Sequence, residues 1–352
     1  MKSFDYIRPA TLEEAIAAGS QPGASYLAGG TNLLDLMKVD VARPDRIVDI
    51  TRLPGLDRTE MHDDGTIRIG ALVRNADLAR DKAFAAACPA VAEALLSGAS
   101  PQLRNAATVG GNLMQQTRCA YFYDPHSACN RRQQGTGCDA LGGDTRNHAV
   151  LGWSDSCIAT HPSDFCVPLT ALDAVVEIEG PEGPRDAPLS RFYSLPDEAA
   201  PGGVDLAHGE LITALRLPSD AASFAGHARY LKLRERTSYA FAIVSAAAML
   251  RMEGGVIAEA RIALGGVAAR PWRSVIAEER LRDAAPSADL FVEAAEAVLQ
   301  GAEPSGENAF KIELSKRLVI RALQRAAEGT PERMPALPAS VFASDTGVSD
   351  HA

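Results

Sequence analysis

The sequence predicts an α+β architecture built in consecutive units, and three observations carry that expectation. Short apolar strands alternate with helices through the first part of the chain. The composition turns to small and polar residues at 218–226. Two long apolar runs separated by a glycine pair then follow. With 352 residues, the chain has room for two or three ordinary domains, each with its own core.

Taken in order, FDYIRP reads as a short strand. The helix ATLEEAIAAG begins at Thr11, which with Glu14 makes a capping box, and Gly19 closes it. SYLAGGTNLLDLMK runs from a β-like triplet through Gly29-Gly30-Thr31-Asn32 into a helix, so backbone N–H groups gather at a helix start, a place that suits a phosphate. IVDI reads as a buried strand, TIRIGALVRNADLAR as a strand and a helix, and 84–97 as one further helix. This alternation argues an α/β arrangement in the N-terminal part. FCVPLTALDAVVEIEGPEGPRDAPLSRFY reads as an apolar segment, a strand, a Gly/Pro turn and a return strand. GELITALRLP supplies one strand more.

SDAASFAG is expected to link this part to a second α+β unit. There RYLKLRE and FAIVSAAAMLRMEGGVIAEARIALGGV form antiparallel strands with a hairpin at Gly254-Gly255, followed by helices at 287–299 and 309–327. The stretch from Pro331 onward, rich in Pro, Ser, Asp and Gly, is expected to be mobile. The two segments with glycine pairs share only their glycines, so no internal repeat is read.

The 35 basic and 45 acidic side chains leave a net charge of −10, which argues against nucleic acid found by charge alone. No run of about 18 apolar residues suggests a membrane span. MKSFDYIRPATLEEA lacks the apolar core and cleavage site of a secretory signal. The expected compartment is the cytoplasm, or the periplasm if a partner carrying the signal exports the folded chain.

Five of the six cysteines fall between Pro101 and Cys166. Clustering of this kind in a long chain fits a redox or metal role better than a disulfide scaffold. Cys88 and Cys166 stand in apolar surroundings and read as buried thiols. Cys119, Cys129, Cys138 and Cys157 are spaced C-x9-C-x8-C-x18-C, unlike a zinc finger or a ferredoxin run. Incidental thiols, structural zinc and a cubane iron–sulfur cluster all stay open on spacing alone. His126, His148 and His161 lie nearby and read as polar loop residues, since four thiolates already complete a site.

Neither AGGTN nor TVGGN matches G-x-G-x-x-G or a P-loop, and a single glycine pair most often marks a turn. Two such loops together suit a dinucleotide pyrophosphate, which needs unobstructed N–H donors from more than one segment. Asp164 reads equally as a helix N-cap or as a ligand contact, and Lys232 as a side chain snorkelling from a solvated strand face. No Ser-His-Asp or paired-carboxylate pattern suggests hydrolysis.

With AGGTNLL at 28–34, RNAATVGGNL at 104–113, Ser163-Asp164, GELITALRLP at 209–218, YLKLRER at 230–236 and ALGGVAARPWR at 263–273, the chain resembles the FAD-binding middle subunit of molybdenum hydroxylases from about Phe4 to Glu328. That group includes xanthine dehydrogenase, carbon monoxide dehydrogenase and aldehyde oxidoreductases. The resemblance implies a two-subdomain FAD-binding fold, 1–60 and 61–220, followed by an α+β C-terminal domain at 227–330 and a tail at 331–352. It implies that Tyr26, Leu27, Ala28, Gly29, Gly30, Thr31, Asn32, Leu33 and Leu34 hold the FAD pyrophosphate and ribityl chain together with Thr108, Gly110, Gly111 and Asn112. Ser163 and Asp164 would contact the adenosine or ribityl part. Ile212 and Lys232 would lie near the isoalloxazine ring, where a cation stabilises anionic reduced flavin.

The chain departs from most of that family in the insertion at 114–158 that carries the four cysteines. The insertion is similar to those of bacterial aldehyde oxidoreductases and 4-hydroxybenzoyl-CoA reductase, whose flavin subunits carry an extra [4Fe-4S] cluster. Cys119, Cys129, Cys138 and Cys157 are its implied ligands. The implied function is electron transfer through FAD to an external acceptor, from a molybdenum cofactor on a large partner and [2Fe-2S] clusters on a small one. No catalytic residue is assigned to this chain. Other readings are the flavin subunit of a xanthine or aromatic acyl-CoA hydroxylase, a stand-alone flavin oxidase, or a zinc-stapled binding module.

Overall fold

Three sheets, each with its own helices, make up the computed structural model, which describes residues 1–332. The tail expected to be mobile lies outside the described residues beyond its first two positions. The first sheet is parallel, in the order β1 (Asp5–Ile7), β3 (Arg46–Asp49), β2 (Ala24–Leu27), with Tyr6 opposite Ile47 and Tyr26 opposite Val48. Its central strand is the apolar IVD run, because a strand paired on both sides and covered by helices faces no water. The helix Leu12–Gly19 starts as expected: Thr11 Oγ1 accepts from Glu14 N–H at 3.2 Å. The Glu14 carboxylate reaches back to Ala10 N–H at 2.8 Å.

The second sheet is antiparallel, in the order β4 (Thr59–Met61), β5 (Ile67–Gly70), β8 (Leu211–Leu217), β6 (Val175–Gly180), β7 (Gly183–Pro188). All the helical chain between β5 and β6 is therefore an excursion from one sheet, not a series of crossovers. Ile69, Leu78, Phe84, Val91, Leu95, Phe165, Val176 and Leu215 form its core. The single helix expected at 84–97 is two, Lys82–Ala87 and Pro89–Ser97. Pro89 lacks an N–H and forces Cys88 out of helical geometry, to φ −131° and ψ 60°. The apolar run after Asp164 is a helix, Cys166–Ala171.

The third sheet runs β12 (Trp272–Arg273), β11 (Val256–Gly265), β10 (Val244–Glu253), β9 (Ala228–Leu233), all antiparallel. Along β10, Ala246, Ala248 and Leu250 pack on the helices Val275–Leu281, Ala288–Val298 and Phe310–Ala327. Ala247 and Met249 join the core of the second sheet. Covering both faces explains the almost uninterrupted apolar stretch and fixes the C-terminal unit to the preceding one. The expected linker at 218–226 is ordered: Ala221–His227 is a 3₁₀ turn whose Phe224 is buried in the same core. Among the described residues no helix is long and apolar enough to cross a membrane.

Candidate functional site

A cavity of about 630 Å3 lies where the N-terminal glycine loop, the second sheet's helices and the third sheet meet. Thr31, Asn32, Asn112, Ser163, Asp164 and Lys232 line it. The two glycine loops touch along its edge. A Cβ on Gly29 would fall 2.0 Å from Ala106 O, and Asn32 Nδ2 donates to Gly111 O at 3.4 Å. Gly30 has φ +72°, the left-handed turn that sends the chain on into the helix Leu33–Lys38. Among the described residues no backbone acceptor meets the N–H groups of Gly29, Gly30, Thr31 or Asn32. They are available to an anion.

The second loop works differently from expectation. Val109 N–H donates to Val73 O, Gly110 N–H to Ala71 O, Gly111 N–H to Thr108 Oγ1 and Asn112 N–H to Thr108 O, at 2.8–3.3 Å. These donors are already engaged. Gly110 is there for close packing, since a Cβ would sit 2.9 Å from Ala71 Cβ. What the loop offers the cavity is the Asn112 side chain, whose Oδ1 accepts from Ser163 Oγ at 2.7 Å and Gln115 Nε2 at 2.5 Å.

Asp164 and Lys232 are bound to each other. Lys232 Nζ donates to Asp164 Oδ2 at 2.7 Å and to Ser97 O at 3.2 Å, and Tyr230 OH donates to Asp164 Oδ1 at 2.6 Å. The two side chains are 8% and 4% exposed. Lys232 is thus no snorkelling surface residue, and its charge is met by Asp164. Capping near the following helix falls to Ser163, whose Oγ accepts from Cys166 N–H at 3.3 Å.

The four insertion cysteines come together. Cys119, Cys129, Cys138 and Cys157 line one narrow interior pocket, all as free thiols, with Cys129 and Cys138 paired across a β-bridge. Arg131 also lines it, and its buried Nη1 has no partner. His148 Nε2 lies 3.2 Å from Cys119 Sγ, and Ala159 N–H donates to Cys157 Sγ at 3.5 Å. Burial pushes the Cys119 thiol up to about 11. Among the described residues no three His, Cys, Asp or Glu side chains gather as a single metal ion would require. The far end of the insertion is clamped by the helix Phe310–Ala327, where fully buried Lys311 donates to His148 O at 2.8 Å and Gly266 O at 2.6 Å. Cys88 and Cys166 are buried apart from the pocket, with thiols pushed by burial up to about 12 and about 11.

Residues 2–220 match the family model described as the FAD binding domain in molybdopterin dehydrogenase, and 229–326 match the CO dehydrogenase flavoprotein C-terminal domain. The chain belongs to the FAD-binding subunits of the molybdenum hydroxylases. It is 46% identical over 328 residues to the aldehyde oxidoreductase FAD-binding subunit PaoB of Escherichia coli, covering 93% of this chain and 99% of that one. To the carbon monoxide dehydrogenase medium chain of Hydrogenophaga pseudoflava it is 29% identical, covering 92% and 96%. The CO dehydrogenase structure from Oligotropha carboxidovorans superposes with a TM-score of 0.73 at 25% identity, covering 94% of this chain and 99% of that one.

As a molybdenum-hydroxylase FAD subunit, the chain is part of an oxidoreductase, and the cavity is the candidate site for its dinucleotide. The fit rests on the free N–H groups of Thr31 and Asn32, the Asn32 and Asn112 amides beside them, and the cavity volume of about 630 Å3. Tyr26, Leu27, Ala28, Gly29, Gly30, Leu33 and Leu34 form and support that loop without lining the cavity; Tyr26 OH donates to Gly209 O at 2.8 Å. Thr108, Gly110 and Gly111 stand behind it in the same way. Ile212 is buried in β8 within the second sheet's core and does not line the cavity either.

Arg118, Arg104, Gln115, His161 and Phe241 line the cavity and were not singled out from the sequence for this site, except that His161 was read as a loop residue. Only topology brings them in. Gly29→Ala is expected to weaken FAD binding by roughly tenfold to a hundredfold, because the added methyl must push the two loops apart at about 1–3 kcal/mol. Titration of the FAD-free chain with FAD, followed by flavin fluorescence, reads this.

Proposed function

We propose that this chain is the flavin subunit of a molybdenum-containing aldehyde oxidoreductase. It would assemble with a large molybdopterin-binding subunit and a small [2Fe-2S] subunit and deliver their electrons to an external acceptor. The single observation that carries the substrate class is the 46% identity, over nearly the whole of both chains, to an aldehyde oxidoreductase FAD-binding subunit. Bound FAD supplies the chemistry of accepting an electron pair and releasing electrons singly or in pairs. The protein's part is to hold and orient it. The AGGTN amides would take the pyrophosphate, and Asn112 and Ser163 the polar chain between the two rings. The neutralised Asp164–Lys232 pair would present a fixed dipole rather than a bare cation.

The four insertion cysteines are proposed to hold a [4Fe-4S] cluster. Supporting this are four free thiols around one pocket, a buried guanidinium beside them awaiting negative charge, and hydrogen bonds aimed at sulfur.

Anaerobic mixing with an aldehyde tests the assignment. Flavin bleaching is expected in the assembled complex and not in the isolated chain. Bleaching by the chain alone would identify a stand-alone oxidase instead.

A further inference from the structure

The cysteine insertion does not stay in its own pocket. Thr117, Cys119 and Tyr121 line both the thiol pocket and the dinucleotide cavity, and between them Arg118 extends into the cavity. Its Nη2 donates to Asn32 Oδ1 at 2.7 Å and its Nη1 to Tyr123 OH at 2.6 Å. The guanidinium carbon lies 4.8 Å from the centre of the Phe241 ring. Its buried Nε has no partner, and no carboxylate pairs with Arg118 among the described residues.

Of the other cations that line the cavity, Lys232 is paired with Asp164, Arg104 donates to Gly98 O at 2.7 Å and Arg236 to Tyr239 O at 2.9 Å. Arg118 is therefore a cavity-lining guanidinium held only by neutral acceptors, Asn32, Gln115 and Tyr123, and hydrogen-bonded to the loop whose N–H groups are free, and a dinucleotide brings a doubly charged pyrophosphate. We infer that Arg118 binds a phosphate of the FAD pyrophosphate, and that its covalent neighbour Cys119 links flavin loading to assembly of the cluster. The second half rests on the [4Fe-4S] reading. Closing the insertion around iron fixes Cys119 and so holds Arg118 in the cavity, and thermodynamic linkage then requires each cofactor to favour the other.

The test measures the FAD dissociation constant, by titrating the deflavinated chain, together with iron content, for the unchanged chain, Arg118→Gln, Arg118→Lys and Cys138→Ser. Arg118→Gln is expected to bind FAD about tenfold or more weakly with its iron retained, the range of a charge-assisted hydrogen bond, and Arg118→Lys to recover part of that loss. Cys138 lines no part of the dinucleotide cavity. Cys138→Ser is nevertheless expected to lose iron and to bind FAD more weakly. Unchanged FAD affinity in an iron-replete Arg118→Gln protein would overturn the phosphate contact. Unchanged affinity in iron-free Cys138→Ser would overturn the linkage while leaving that contact standing. Absence of iron from the unchanged chain would remove the cluster reading and the linkage together, and Arg118→Gln would still decide the phosphate contact.

Discussion

Asp164→Ala is expected to cost the folded chain about 3–5 kcal/mol, the penalty for stranding one half of a buried ion pair. The carboxylate accepts from Lys232 Nζ and Tyr230 OH on adjoining parts of β9, and Lys232 in turn holds Ser97 O at the end of a helix of the second sheet. Removing it leaves an ammonium with one carbonyl partner and a phenol with only the Ser245 hydroxyl, in a place where the paired side chains are less than a tenth exposed. Because the pair joins the second and third sheets at the cavity wall, FAD affinity should fall along with stability. Urea unfolding of the unchanged and substituted chains measures the first effect. A change under about 1 kcal/mol, the value of an exposed pair, would mean that water reaches the pair and screens it.

Cys157→Ser is expected to abolish iron binding outright. On the proposed cluster reading, a cubane would lose one of its four thiolate ligands, all of which line the same pocket. The folded core should survive, since Lys311 on the last helix, and Asn308 and Ser305 in the turn before it, grip residues 147–149 without iron. Iron analysis with circular dichroism reads both parts. Full iron occupancy in Cys157→Ser would exclude this residue as a ligand.

Most strands and helices were legible from apolar periodicity and turn residues, the short β4 and β12 excepted, and β10 and β11 were legible even though β10 is covered on both faces. What local pattern could not show was which segments meet. The strand–helix alternation argued an α/β arrangement, but only β1, β2 and β3 are parallel. The later helices are excursions within an antiparallel sheet whose strands β5 and β8 lie far apart in sequence. Glycine pairs marked two loops that meet in the fold, but a glycine can serve a free N–H, close packing or both. Only the Gly110–Ala71 contact shows that the second loop uses close packing.

The same limit applied to charge. Lys232 in an alternating strand looked solvated until Asp164 arrived from a distant turn. Arg118 looked like one more polar residue in a polar insertion until Asn32 stood opposite it. The 0%-exposed Lys311, three of whose acceptors are carbonyls of distant loops, had no local signal at all.

Cofactor analysis of the chain prepared without oxygen bears most directly on the whole account. FAD and iron are expected at about one flavin and four irons per chain, the content of one dinucleotide site and one cubane. A folded chain that carries FAD with zinc, or with no metal at the four thiols, would contradict the cluster, and one that takes up no FAD would contradict the site.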